Sequence, residues 1–182
     1  MIRWILLSSA LVAILHGSAR AQSDTSDLER RVKAAYLYKF AGYVEWPDSL
    51  FPEPTTPVRI AVLGDDKLRD ELATMVLGHT VNGRAVVVSG YSEEDSLEGV
   101  HVLYVGRQET SRLPRLKDDA RKRSVLLVSE GDDAIDKGSV IAFVLSRRRV
   151  RFDISVACAT KSGLTLSSRL LSVARTVMTA GS

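Results

Sequence analysis

Cysteine is nearly absent from this 182-residue chain: Cys158 stands alone. No internal disulfide can form, so the fold must be held by its core. Histidine is scarce, with His16, His79 and His101, and neither a His-x-x-x-His pair nor a paired-Cys spacing occurs. The usual zinc frameworks are therefore excluded. Aromatic residues make up 6%, and four of the five prolines are crowded between Pro47 and Pro57. A surplus of one charge sign is missing too, since 25 Lys and Arg stand against 22 Asp and Glu. That balance is too even for a nucleic-acid-binding domain. There is no Gly-x-Ser-x-Gly elbow, P-loop or Gly-x-Gly-x-x-Gly fingerprint, so hydrolase and nucleotide-binding readings have no positive support. The longest apolar run, Trp4 to Leu15, is broken at Ser8 and Ser9 and is too short for about 30 Å of hydrocarbon.

What is present begins with that run. Met1-Ile2-Arg3 precedes it and Ala19-Arg20-Ala21 follows it, the pattern of a secretory signal cleaved after Ala21. Removing Arg3 and Arg20 leaves 23 basic and 22 acidic residues, almost balanced. Residues 22–27 read as a polar leader and 28–178 as one α/β domain, a length that supports one sizeable core. In an exported chain Cys158, flanked by Val156, Ala157 and Ala159, is either buried and inert or an intermolecular link.

Ser26-Asp27-Leu28-Glu29 has capping-box spacing and predicts a helix start. Leu28, Val32, Ala35, Tyr36, Phe40, Tyr43 and Val44 then recur at helical intervals, and Trp46-Pro47 ends the helix. Val58–Leu63, Ala85–Val88, Val100–Val105 and Val125–Val128 are short β-branched runs. Helical segments at Lys67–Leu77, around Ser92–Leu97 and at Leu113–Lys122 separate them. Strands apolar on both faces alternating with helices predict a three-layer sandwich, with helices on both faces of a mixed, mainly parallel central sheet. Ser139–Leu145 and Val150–Val156 are too close for a crossover helix and predict a C-terminal antiparallel hairpin. A last helix capped by Ser167 should bury Leu170, Leu171, Ala174, Val177 and Met178.

Two constellations could carry chemistry. Gly64-Asp65-Asp66 and Glu130-Gly131-Asp132-Asp133 both follow strands, where open α/β sheets form ligand crevices. Asp65, Asp66 and Glu130 are the candidate crevice residues, and the alternative for the first cluster is that Gly64 makes the turn and an Asp caps the helix. Arg147-Arg148-Arg149 with Arg151 is the densest basic run, at the expected hairpin tip. It can meet an acidic partner, a phosphate or an anionic lipid, or blunt an edge strand. Tyr38, Tyr43 and Trp46 add aromatics beyond what one buried face needs, as core or as interface anchors.

Ala34-Ala35-Tyr36-Leu37-Tyr38-Lys39-Phe40, Val44-Glu45-Trp46-Pro47, Arg59 to Gly64, Gly83-Arg84, His101 to Val105, Arg151-Phe152-Asp153-Ile154 and Ser167 to Ala174 stand in one order. Together they resemble the YfiR family of exported bacterial proteins over about residues 30 to 177. The resemblance implies a periplasmic α/β domain without enzymatic activity, cofactor or metal. It also implies a repressor that binds the periplasmic sensor domain of an inner-membrane diguanylate cyclase and so limits cyclic di-GMP and biofilm. An OmpA-like outer-membrane lipoprotein and a second copy in a homodimer are the other implied partners. Ser155 stands where Asn often follows the Arg-Phe-acid-Ile strand, and the additional cysteines of some members are missing. The second reading is a periplasmic small-ligand-binding module acting with another membrane sensor or receptor.

Overall fold

Alternation along the strands decides the architecture of the computed structural model, which describes residues 8–92 and 94–179, with side chains from Thr25 onward. Val58, Ile60 and Val62 point to one face of the sheet, while Ala61 and Leu63 point to the other. Val102 and Tyr104 are likewise divided from Leu103 and Val105, and Leu126 and Val128 from Leu127. All are buried, because helices cover both faces.

The first face carries α1 (Ser8–Tyr43) and α2 (Asp66–Met75). Two short helices near the C-terminus, α4 (Val156–Lys161) and α5 (Ser168–Val173), lie on the same side. The second face carries α3 (Leu113–Lys122). The sheet strands in chain order are β2 (Val58–Leu63), β3 (Thr80–Val81), β4 (Arg84–Gly90), β5 (Val102–Val105), β6 (Leu126–Glu130), β7 (Ile141–Ser146), β8 (Arg149–Ser155) and β10 (Thr176–Met178). Their spatial order is β10-β8-β7-β6-β5-β2-β4-β3. Only β7–β8 and β3–β4 pair antiparallel in it. Two residues each of β1 (Val44–Glu45) and β9 (Thr165–Leu166) form a separate antiparallel pair. The expected three-layer sandwich with a C-terminal hairpin is the observed fold.

Several local expectations need correction. α1 runs through residues 22–27 without a break, so Ser26 lies inside a helix rather than opening one. The basic start and first part of the apolar run, residues 1–7, fall outside the described residues. Among the described residues the segment around Ser92–Leu97 holds a single hydrogen-bonded turn, Asp95 N–H donating to the Ser92 carbonyl at 3.2 Å, and no helix; the Asp95 carboxylate accepts from the Ser92 N–H at 2.7 Å and its hydroxyl at 2.8 Å. A side chain that bonds nearby backbone offers an alternative to helix. The last helix is capped by Ser167 as expected, its Oγ accepting from Leu170 N–H, but stops at Val173. Val177 and Met178 instead form β10 beside β8, because the β8 edge has an unpaired ladder to satisfy.

The Pro47–Pro57 segment is a strap across the end of β2. Arg84 ties it down by donating to the carbonyls of Glu53, Pro54 and Thr56 at 2.8, 2.8 and 3.1 Å, and lies 4.3 Å over the Phe51 ring. Phe51 stacks on buried His101 at 4.5 Å, with Trp46 edge-on at 5.7 Å. Burial pushes the His101 imidazole down to about 4, a shift the Leu50 carbonyl opposes and the Arg59 and Arg84 charges reinforce. A depressed base favours the neutral form in the fold, so its contribution is complete above pH 6.5 and lost as pH falls from 6.5 toward 4. The loss should reach about 3 kcal/mol. Urea unfolding across that range should show the slope, and a folded His101→Asn variant should lack most of it.

Candidate partner-binding groove

The hairpin of β7 and β8 turns through only two residues, since Ser146 pairs with Arg149. Arg147 and Arg148 both carry positive φ, 49° and 61°. Such turns ordinarily place Asn and Gly at these positions, and the turn between β3 and β4 does so, with Asn82 at 51° and Gly83 at 78°. Two successive arginines in left-handed conformation cost on the order of 1 kcal/mol each. Strain of this kind persists where its surroundings impose it. Replacing Arg148 by Gly should therefore stabilise the fold by about 1 kcal/mol, read as a higher urea midpoint; a lower midpoint would contradict the strain.

Arg147, Arg148, Arg149 and Arg151 are exposed, and none forms an ion pair among the described residues. Beside them α1, from Thr25 onward, and the hairpin enclose a groove of about 440 Å³. Leu28, Val32 and Tyr36 of α1 form one wall, and Leu145 and Val150 of the hairpin form the other. Arg148, Arg149, Arg151 and Glu29 form the rim. Leu28 is 63% exposed and Leu145 53%, so this is apolar surface left open to solvent. Its floor is firm: Tyr36 sits edge-on to Phe152 at 5.2 Å and stacks on Phe40 at 5.8 Å, continuous with the buried aromatic cluster.

Buried charges hold α1 in place beneath the groove. Lys33 reaches Glu29 at 2.6 Å and Glu130 at 2.9 Å. Glu130 also accepts from the Tyr104 hydroxyl and faces Arg107 at 3.4 Å. Burial, followed by the Glu130 charge, pushes the Tyr104 phenol far above its ordinary value. This hydroxyl therefore stays a proton donor to Glu130 at any physiological pH.

The structure gathers Arg148, Arg149 and Arg151 at one groove, with Arg147 at the adjoining tip. Tyr38 is elsewhere, donating to the Thr80 carbonyl at 2.9 Å and edging His79. Tyr43 and Trp46 are half-buried against the core. Asp65 and Glu130 both act on the Tyr104 hydroxyl, but each of the three acidic groups is engaged locally. Asp65 caps α2, accepting from Leu68 N–H at 2.9 Å, Asp66 pairs with Arg69 at 2.6 Å, and Glu130 is engaged by Lys33. The ends of β2 and β5 are close-packed, Gly106 N–H donating to Leu63 O at 2.8 Å, whereas past the end of β6 Gly131 and Asp132 line an open cavity of about 400 Å³ with Glu29, Arg107, Val144 and Leu145. A Cβ on Gly106 would stand 2.9 Å from the Gly64 carbonyl, and Glu109 lies over Gly64. Sequence reading placed Leu28, Val32 and Tyr36 on one apolar helix face and did not foresee that they line a groove. Their i, i+4, i+8 spacing was the available signal.

A profile of the YfiR/HmsC-like family matches residues 30–175. The chain belongs to the YfiR/HmsC-like family. Among solved structures it is similar to a conserved domain protein from Vibrio cholerae O1 biovar eltor str. N16961, with 11% identity and a TM-score of 0.51. The match covers 72% of this chain and 57% of that one, and it shows a shared fold. No curated protein matches. The YfiR/HmsC-like family is a periplasmic, regulatory and non-catalytic one associated with membrane diguanylate cyclase signalling. Among the described residues, no helix is long and apolar enough to cross a membrane, and no cluster of three or more His, Cys, Asp or Glu could hold a metal. The Arg151-Phe152-Asp153-Ile154 stretch of β8 is a structural device: Phe152 enters the aromatic core, and buried Asp153 receives both the Nε of Arg175, at 2.8 Å, and its terminal nitrogen.

Proposed function

We propose that this YfiR/HmsC-like chain is exported, loses residues 1–21, and restrains a membrane diguanylate cyclase by binding its periplasmic sensor domain. The observation that carries the reading is the strained arginine tip, without an ion pair among the described residues, beside an open apolar groove. Apolar surface ringed by guanidinium groups has the composition of an interface, with an anchoring centre and a polar rim. A restraint of this kind works by differential affinity: each 1.4 kcal/mol of preference for the inactive sensor shifts its equilibrium tenfold. A second copy of the chain and an OmpA-like outer-membrane lipoprotein are further proposed partners, the latter by sequestering the repressor. Deleting the gene should raise cellular cyclic di-GMP and biofilm. Wild type should restore both, whereas a charge-reversed Arg148→Glu, Arg149→Glu variant present at equal level should not. Cyclic di-GMP unchanged by the deletion would sink the cyclase reading.

A further inference from the structure

We infer that the groove between α1 and the β7–β8 hairpin binds a small amphipathic carboxylate, with a medium-length acyl chain along the helix and its headgroup on the arginine rim. Three observations converge on that chemistry. The wall formed by Leu28, Val32 and Tyr36 follows one helix face over eight residues, about 12 Å, so the groove is a straight strip that suits an extended chain. Its volume of about 440 Å³ and mostly apolar lining are those of a small-molecule site with few polar groups. Arg148, Arg149 and Arg151 line it and form no ion pair among the described residues, and a guanidinium fork matches a carboxylate in two parallel hydrogen bonds. Glu29, the one acidic group on the rim, is already engaged by Lys33 at 2.6 Å, which leaves the balance at the rim positive.

The positive φ of Arg147 and Arg148 bears on the same point. A tighter turn sequence is used elsewhere in the chain, at Asn82-Gly83, so the arginine side chains at this one answer to something other than turn stability. A headgroup seated among them would relieve the mutual repulsion of four guanidinium groups within five residues. The regulatory consequence, that such a ligand would compete with the sensor for one surface, rests on the function proposed above. The site itself does not.

The test uses three probes of equal chain length: decanoate, decanol and decyltrimethylammonium, each below the concentration at which it forms micelles. They are titrated into methyl-labelled protein and followed by nuclear magnetic resonance at Leu28, Val32, Leu145 and Val150. Decanoate should produce saturable shifts confined to these methyls and bind at least tenfold more tightly than the other two. The pair Arg148→Gln, Arg151→Gln should weaken decanoate about tenfold and leave decanol unchanged. Equal binding of the three probes, decanoate binding indifferent to the substitutions, or shifts that never saturate would each overturn the proposal. If decanoate binds as expected while gene deletion leaves cyclic di-GMP unchanged, the site stands and the cyclase reading falls; the opposite pair of results removes the site alone.

Discussion

Replacing Glu130 by Leu should destabilise the fold by about 3–5 kcal/mol, the range for removing one partner from a buried ion pair. Glu130 is 5% exposed and serves Lys33, Tyr104 and Arg107 at once. Without it the Lys33 ammonium, itself buried, keeps only Glu29, and the Tyr104 hydroxyl loses its acceptor inside the core. Removing the whole set tells a different story. Lys33→Met, Glu130→Leu and Tyr104→Phe together leave no buried polar group orphaned, since Glu29 and Arg107 both reach solvent, and apolar replacement of a buried pair is often neutral or better. The triple variant should therefore recover most of the loss. Urea midpoints at unchanged slope measure both; a single Glu130→Leu within 1 kcal/mol of wild type would show that the network holds nothing down.

The second large effect is asymmetric across the Arg175–Asp153 pair. Asp153 is 4% exposed, whereas the Arg175 side chain is 38% exposed. Arg175→Ala leaves a buried carboxylate unpaired and should cost about 3 kcal/mol. Asp153→Asn leaves a guanidinium that can turn toward water and should cost about 1–2 kcal/mol. Arg175 lies between α5 and β10, and its N–H donates to the Phe152 carbonyl at 2.8 Å. Loss of the pair should therefore free the Thr176–Met178 amides first, visible as faster hydrogen exchange there than in β5 or β6. Equal costs for the two substitutions would refute the burial argument.

Much of this architecture is legible in residues. The β-branched runs located β2 at its observed bounds and β4 to β6 within a few residues, because a doubly covered strand must be apolar on both faces. Ser167 was legible as a cap through a short oxygen-bearing side chain ahead of an apolar repeat, and a capping Asp after Gly64 was one of two readings, which the structure assigns to Asp65. β10 was illegible because residues 167–178 have helical periodicity, and only the free edge of β8 and the waiting Asp153 override it. Lys33 was illegible for a related reason: a lysine on the helix reads as solvated until Glu130, almost a hundred residues later, lies against it. Asn82-Gly83 carried a hairpin signal that was not taken up. At the groove, the arginines stood out by their density. The apolar wall did not, since a stripe at helical spacing reads the same whether something within the chain covers it or not.

One strand joins the two ends of the chain. β8 carries Phe152, which packs against Tyr36 and Phe40 of α1, and it also pairs with β10, the last strand described. On the proposed export, a chain threaded from its N-terminus presents α1 before the surface that buries it has emerged. The aromatic face of α1 is not fully covered until Phe143 and then Phe152 follow, and β8 keeps an open edge until Met178 has passed. Contacts this distant in sequence close slowly, so delivery order gives the emerging helix a long interval in which a chaperone can hold it.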